Sequence, residues 1–136
     1  MITAVDTSIL LDIFGADPIF GPRSKEALRT CLQEGHLIAC GAVWAEVSGF
    51  FPSAGAAQEA MNRLGVAFDP IHLEAVLSAG TVFRIYRRQG GRRTRVVADF
   101  LIGAHAAFQS DRLLTRDRGF YRNYFSKLKL LDPSQA

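Results

Sequence analysis

Asp99 and Asp117 stand at either end of the stretch VVADFLIGAHAAFQSDRLLTRDRGFY, Val96 to Tyr121. A helix from Asp99 to Gln109 covers roughly 15 Å. A turn at Ser110 and Asp111 follows. A strand over Arg112 to Thr115 then covers roughly 13 Å in return. The outward and return lengths nearly cancel, so a helix packed along its strand brings both carboxylates to one edge of the domain. Carboxylates held close repel unless a cation lies between them. This spacing is therefore that of a metal site, and the rest of the chain can be searched for further acids at the same edge.

Ile2 to Val5 reads as a buried strand ending at Asp6, with Thr7 and Ser8 as caps for a helix over Ile9 to Phe14. Gly15 to Pro22 reads as a loop. Arg23 to Glu34 carries a helical apolar stripe that Gly35 ends. His36 to Cys40 is a second strand, and Ala42 to Phe51 a helix with Glu46 near its start. Ser53 to Leu64 is helical, Val66 to Phe68 a third strand, and Ile71 to Arg88 a long helix. After Asp117 comes an aromatic-rich turn, then a last strand over Leu128 to Leu131. Short apolar strands alternating with helices predict an α/β chain: a three-layer α/β/α sandwich around a short, mainly parallel sheet. Ligands of such sheets bind beyond the carboxyl ends of the strands. Asp6, Glu46, Asp99 and Asp117 are all expected at that edge, and four acids there say more than any one of them, since a single Asp at a helix start is commonplace.

Asp and Glu without histidine or thiolate partners suit a hard cation such as Mg2+. Such an ion polarises a phosphate oxygen and lowers the pKa of water. His36, His72 and His105 lack zinc-ligand spacing. The chain has 136 residues, 49% of them apolar, which suits one domain over residues 1–136 and excludes a disordered chain. Its net charge is +3, and a basic protein with clustered acids points to a polyanionic substrate. The N-terminal apolar run is too short to span a bilayer, so no membrane role is expected. Cys31 and Cys40 lie among apolar residues and read as buried thiols of a reducing, cytoplasmic setting.

VDTSILLD at Val5–Asp12, AEV at Ala45–Val47, ADFLIGAHA at Ala98–Ala106 and LLTRDRGFY at Leu113–Tyr121 resemble, in order, the acidic motifs of PIN-domain ribonucleases. The likeness is strongest to the VapC toxin branch of bacterial toxin–antitoxin pairs. The resemblance implies a PIN-like sandwich and Mg2+-dependent RNA cleavage, with Mn2+ possible. Asp6, Glu46, Asp99 and Asp117 would be its metal-binding and catalytic acids, with Ser8 and Thr115 as assisting hydroxyls. It also implies a homodimer and a cognate antitoxin. Residues Ser53 to Gly91 carry none of these motifs.

RIYRRQGGRRTR, Arg84 to Arg95, holds six arginines in twelve residues. Guanidinium forks suit phosphates, so Arg92, Arg93 and Arg95 are candidate RNA contacts. The plainer reading is a solvated helix end. Trp44 is expected in the core, although its place near Glu46 would also let it stack a base. Asp12, Asp17, Asp69, Asp111 and Asp132 are expected to face water. The alternative to an endoribonuclease is a non-catalytic PIN-like module that grips RNA or an antitoxin. A receiver or haloacid-dehalogenase reading lacks its second acid, since Ser8 stands there, and its lysine after the last strand. Carboxylates and a metal do not read the 2′-OH, so RNA and DNA are not separated by the site alone.

Overall fold

The computed structural model describes residues 1–92 and 95–134. Its strands are β1 (Ile2–Val5), β2 (His36–Ala39), β3 (Val66–Phe68), β4 (Arg112–Leu114) and β5 (Leu130–Leu131). The helices are α1 (Thr7–Phe14), α2 (Gly21–Glu34), α3 (Gly41–Ser48), α4 (Ala54–Leu64), α5 (Leu73–Arg88), α6 (Val97–Gln109) and α7 (Arg118–Tyr124). All strand pairs are parallel, in the order β3-β2-β1-β4-β5. The sheet is thus the parallel α/β sheet that the sequence predicts. Its strands are short because each is bounded by a helix cap or turn, and their apolar side chains Ala4, Val5, Leu37, Ala39, Val66, Leu113 and Leu114 are buried.

Strand order runs outward from β1 in one direction through β2 and β3, then resumes on its other side with β4 and β5. Right-handed crossovers therefore put α1–α4 on one face and α5–α7 on the other. The reversal between β1 and β4 leaves a crevice at their carboxyl ends. Register fixes what enters it. Ala4 lies beside Leu113 and Val5 beside Leu114, so the next residues, Asp6 and Thr115, emerge together. The Asp6 N–H donates to the Leu114 carbonyl at 3.0 Å and closes the pair.

Several boundaries differ from the sequence reading, each for a local reason. Helix α1 starts at Thr7, two residues early, because Asp6 itself is the N-cap and accepts from the Thr7 N–H. Helix α2 starts at Gly21 because Asp17 accepts the N–H groups of Ile19 and Phe20 and tightens the expected loop into a helical entry. Gly35 ends α2 in extended backbone, not in a left-handed cap. A Cβ there would lie 1.8 Å from the Met1 carbonyl oxygen, so close approach of the N-terminal strand is what demands glycine. The aromatic turn after Asp117 is the helix α7, whose Phe120 and Tyr124 pack on Phe100 of α6. Gly103 makes room for this, since a Cβ there would meet the Phe125 ring at 2.4 Å.

Three acids expected to face water are engaged by other side chains, with the side chains of Asp12 and Asp132 buried and that of Asp69 31% exposed. Asp12 is 5% exposed and receives Arg116 Nε at 2.7 Å, Arg116 Nη2 at 2.8 Å and Ser24 Oγ at 2.9 Å. Asp69 accepts from Gln109 Nε2 at 2.9 Å and lies 2.7 Å from the buried ring of His105, joining the end of β3 to α6. The Asp132 side chain is 7% exposed and pairs with Arg118 at 2.9 Å. The two buried ones are each compensated by a cation, the condition for burying a charged group. Among the described residues no helix is long and apolar enough to cross a membrane. Cys31 and Cys40 are buried and unbridged.

Candidate active site

Asp6 lies at the floor of the β1/β4 crevice, 7% exposed. Both of its oxygens are engaged. Oδ1 accepts from the Thr7 N–H at 2.8 Å, and Oδ2 accepts from Thr115 Oγ1 at 2.7 Å. Thr115 is fully buried and also accepts the Asp117 N–H at 3.0 Å. On the other side, Thr7 Oγ1 donates to Glu46 Oε1 at 2.7 Å. One chain of hydrogen bonds therefore runs Glu46–Thr7–Asp6–Thr115–Asp117 along the carboxyl edge of the sheet. Asp99 joins from α6. Its Oδ2 accepts the Val96 N–H at 3.1 Å, a carboxylate capping the start of its own helix.

The electrostatics show how near the acids are. Burial, opposed by the Thr115 and Thr7 hydrogen bonds and aided by the charges of Asp117 and Asp99, raises the pKa of Asp6 to about 6. Tyr121, 2% exposed beneath the same edge, is held well above the usual phenol value, first by burial and then by Asp6, Asp99 and Asp117. The charges of Asp99 and Asp117 thus bear on both Asp6 and Tyr121.

A cation of the chain itself faces two of them. Arg95 Nη1 lies 2.5 Å from Asp117 Oδ2 and 3.9 Å from Asp99 Oδ1. Its guanidinium stacks over Phe120 at 4.3 Å from the ring centroid. Burial disfavours its charge, but the hydrogen bond to Asp117 and the charges of Asp117 and Asp99 more than offset this and hold its pKa above the usual value.

Of the residues singled out by sequence, Asp6, Glu46, Thr115 and Asp117 lie on one hydrogen-bonded chain, and Asp99 is tied to Asp117 through Arg95. Ser8 is in the first turn of α1, its buried Oγ without a hydrogen-bond partner among the described residues. Arg92 is exposed and its carbonyl accepts from the Tyr86 hydroxyl. Arg93 lies outside the described residues. Trp44 is half-buried edge-on to Phe68, at 5.8 Å. Spacing alone does not mark Thr7 as part of the site. Its signal was only its place between Asp6 and Ser8, because the partner it needs, Glu46, is 39 residues away.

Oxygen donors alone line this edge, which fits a hard divalent cation in chemistry. The orphaned Oγ of Ser8, two residues after Asp6, fits as well, being a buried hydroxyl that nothing in the described chain satisfies. The present side-chain arrangement is tighter than a metal cage: among the described residues no three His, Cys, Asp or Glu side chains stand as a ready ligand set. The reason is visible in the partners, since Asp6 has both oxygens taken and Asp117 is held by Arg95.

The PIN domain model matches residues 3–126. The chain belongs to the PIN domain family. Three solved structures have the same fold. VapBC2 from Rickettsia felis, bound to a DNA fragment from its promoter, gives a TM-score of 0.75 at 15% identity, covering 97% of this chain and 98% of that one. VapBC-1 from nontypeable Haemophilus influenzae gives 0.74 at 16% identity, covering 99% and 100%. A toxin–antitoxin complex from Klebsiella pneumoniae gives 0.66 at 18% identity, covering 96% and 97%. No curated protein sequence is a significant match.

The bridge through Thr7 makes a testable demand. Thr7→Val keeps the shape and removes the hydroxyl that fixes Glu46. A loss of about 1 kcal/mol is expected, the net value of one such bond when the exposed partner can turn to water. Urea unfolding measures it, and Thr7→Ser should recover most of the loss. No change in the midpoint would mean that Glu46 is not held by Thr7.

Proposed function

We propose that this PIN domain is a metal-dependent endoribonuclease acting as the toxin of a toxin–antitoxin pair. The observation that carries the reading is the hydrogen-bonded line of acids at the switch point of the sheet. Asp6, Glu46, Asp99 and Asp117 would hold the Mg2+ or Mn2+, with Ser8 and Thr115 assisting. A bound ion of this kind polarises phosphate oxygens and lowers the pKa of an attacking water. The chain's own contribution is position. Thr115 and Thr7 fix both oxygens of Asp6, and the capping bond from Val96 fixes Asp99. Arg92, Arg93 and Arg95 of the basic run would supply positive charge for an RNA backbone.

An antitoxin partner is supported by the complexes in which the matching folds were solved. A homodimer is supported by α5, which exposes Leu73, Val76, Leu77 and Ile85, an apolar strip suited to cover by a second copy. The closed arrangement of the acids favours a second reading, a PIN-like module that binds RNA or antitoxin without cutting. One assay separates them. Cleavage of single-stranded RNA should appear with Mg2+ or Mn2+ and disappear with excess EDTA. Undiminished cleavage in EDTA sinks the metal mechanism, and RNA binding without cleavage under any metal selects the module.

A further inference from the structure

Among the described residues of its run, Arg95 is the basic side chain that the structure ties to the acids at two points, Asp117 and Asp99. Its position is not that of a solvated arginine. The side chain is 30% exposed, its plane is stacked on Phe120, and Phe120 is itself buried against Phe100 and Tyr121. The two carboxylates are 36% and 25% exposed, so neither is fully screened by water. A guanidinium so placed neutralises the same oxygens that a divalent cation would take.

We propose that Arg95 is an in-chain counter-cation that competes with the divalent metal for Asp99 and Asp117, so that the metal enters only as the guanidinium gives way. This inference rests on the proposed metal site. It assigns Arg95 a role distinct from the phosphate contact expected of its neighbours. Two ligands that exclude each other from one place are coupled, and each lowers the affinity of the other by the same factor. The Arg95 pair therefore sets how much free metal the site requires before it is loaded. In the unloaded state the same pair relieves the repulsion between carboxylates that would otherwise weaken the fold. A merely structural ion pair makes the opposite prediction, because loosening the site would impair metal binding.

The test is Mn2+ binding by isothermal titration calorimetry, which does not depend on activity. The parent is compared with Arg95→Met, which keeps the packing on Phe120, Arg95→Gln, which keeps polarity, and Arg95→Lys, which keeps the charge. Circular dichroism on each variant establishes that it is folded. Met and Gln should bind Mn2+ more tightly than the parent, on the order of tenfold, and Lys should stay close to it. In EDTA the Met and Gln variants should melt below the parent, and added Mn2+ should close or reverse that gap. Affinity unchanged or weakened in both neutral variants, with the parent still binding, overturns the role of Arg95 and leaves the metal site standing. Absence of Mn2+ binding in every form overturns the metal site and the inference with it.

Discussion

Asp6→Asn is expected to do two opposite things: destroy cleavage and stabilise the metal-free fold. The substitution is nearly isosteric. The Asn carbonyl can accept the Thr7 N–H as Oδ1 does now, and its amide can donate to Thr115 Oγ1, reversing the bond that Thr115 now donates to Oδ2. What is lost is a charge at a site 7% exposed to solvent. Activity should fall more than about a hundredfold, beyond what losing a mere support of a ligand costs.

The stability effect follows from the raised pKa of about 6, against 3.8 for an ordinary Asp. A raised carboxylate pKa means that the folded protein holds its proton more tightly than the unfolded chain. The penalty is absent below pH 3.8, grows as pH rises toward 6, and is complete above that. A difference of this size corresponds to roughly 3 kcal/mol at neutral pH. In EDTA at pH 7.5 the Asn variant should therefore melt above the parent, on the order of 10 °C at most. At pH 4 the two should nearly coincide. Melting curves across that range give the answer, and a gap that does not change with pH would show that ionisation of Asp6 is not the cost. The expected pairing of gain and loss is what a site built for function at the expense of stability displays.

Much of this site could be read in the sequence because its key distances are local. Asp99, the helix after it and the strand that follows form one continuous stretch, and counting residues returns Asp117 to the edge where Asp99 began. Asp6 was legible for a similar reason, as the first polar residue after a buried strand. What spacing cannot supply is contact between distant segments. Thr7 reads as a helix cap until Glu46 is brought across from α3. Asp12 reads as a solvated face of a short helix, and only the fold brings Arg116 and Ser24 to it. Arg95 is the mixed case. Its place four residues before Asp99 was visible, but its run of arginines pointed outward to phosphate, and the contact with Asp117 came only from the return of the chain.

Asp12 leads to the other large effect, because it holds the site from behind. Arg116 sits between Thr115 and Asp117, so whatever fixes Arg116 fixes both neighbours. Asp12 takes two of its nitrogens, Ser24 adds a third bond to the same carboxylate, and Phe20 covers the guanidinium at 4.0 Å. Asp12→Ala leaves the fully buried Ser24 without this acceptor and Arg116 without its counter-charge. Breaking a buried pair by removing one partner typically costs 3–5 kcal/mol. Arg116 is 27% exposed and can recruit water, so a loss near the lower end, about 3 kcal/mol, is expected. Cleavage should fall as well, since the Thr115 bond to Asp6 loses its anchor. Stability and position can be separated by the double variant Asp12→Leu with Arg116→Met. Replacing a buried ion pair by apolar side chains of similar volume is often close to neutral in stability. The double variant should therefore recover most of the melting temperature that Asp12→Ala loses, yet remain impaired in cleavage. Full recovery of cleavage along with stability would mean that the Asp12–Arg116 pair supports the fold and has no part in placing Thr115 and Asp117.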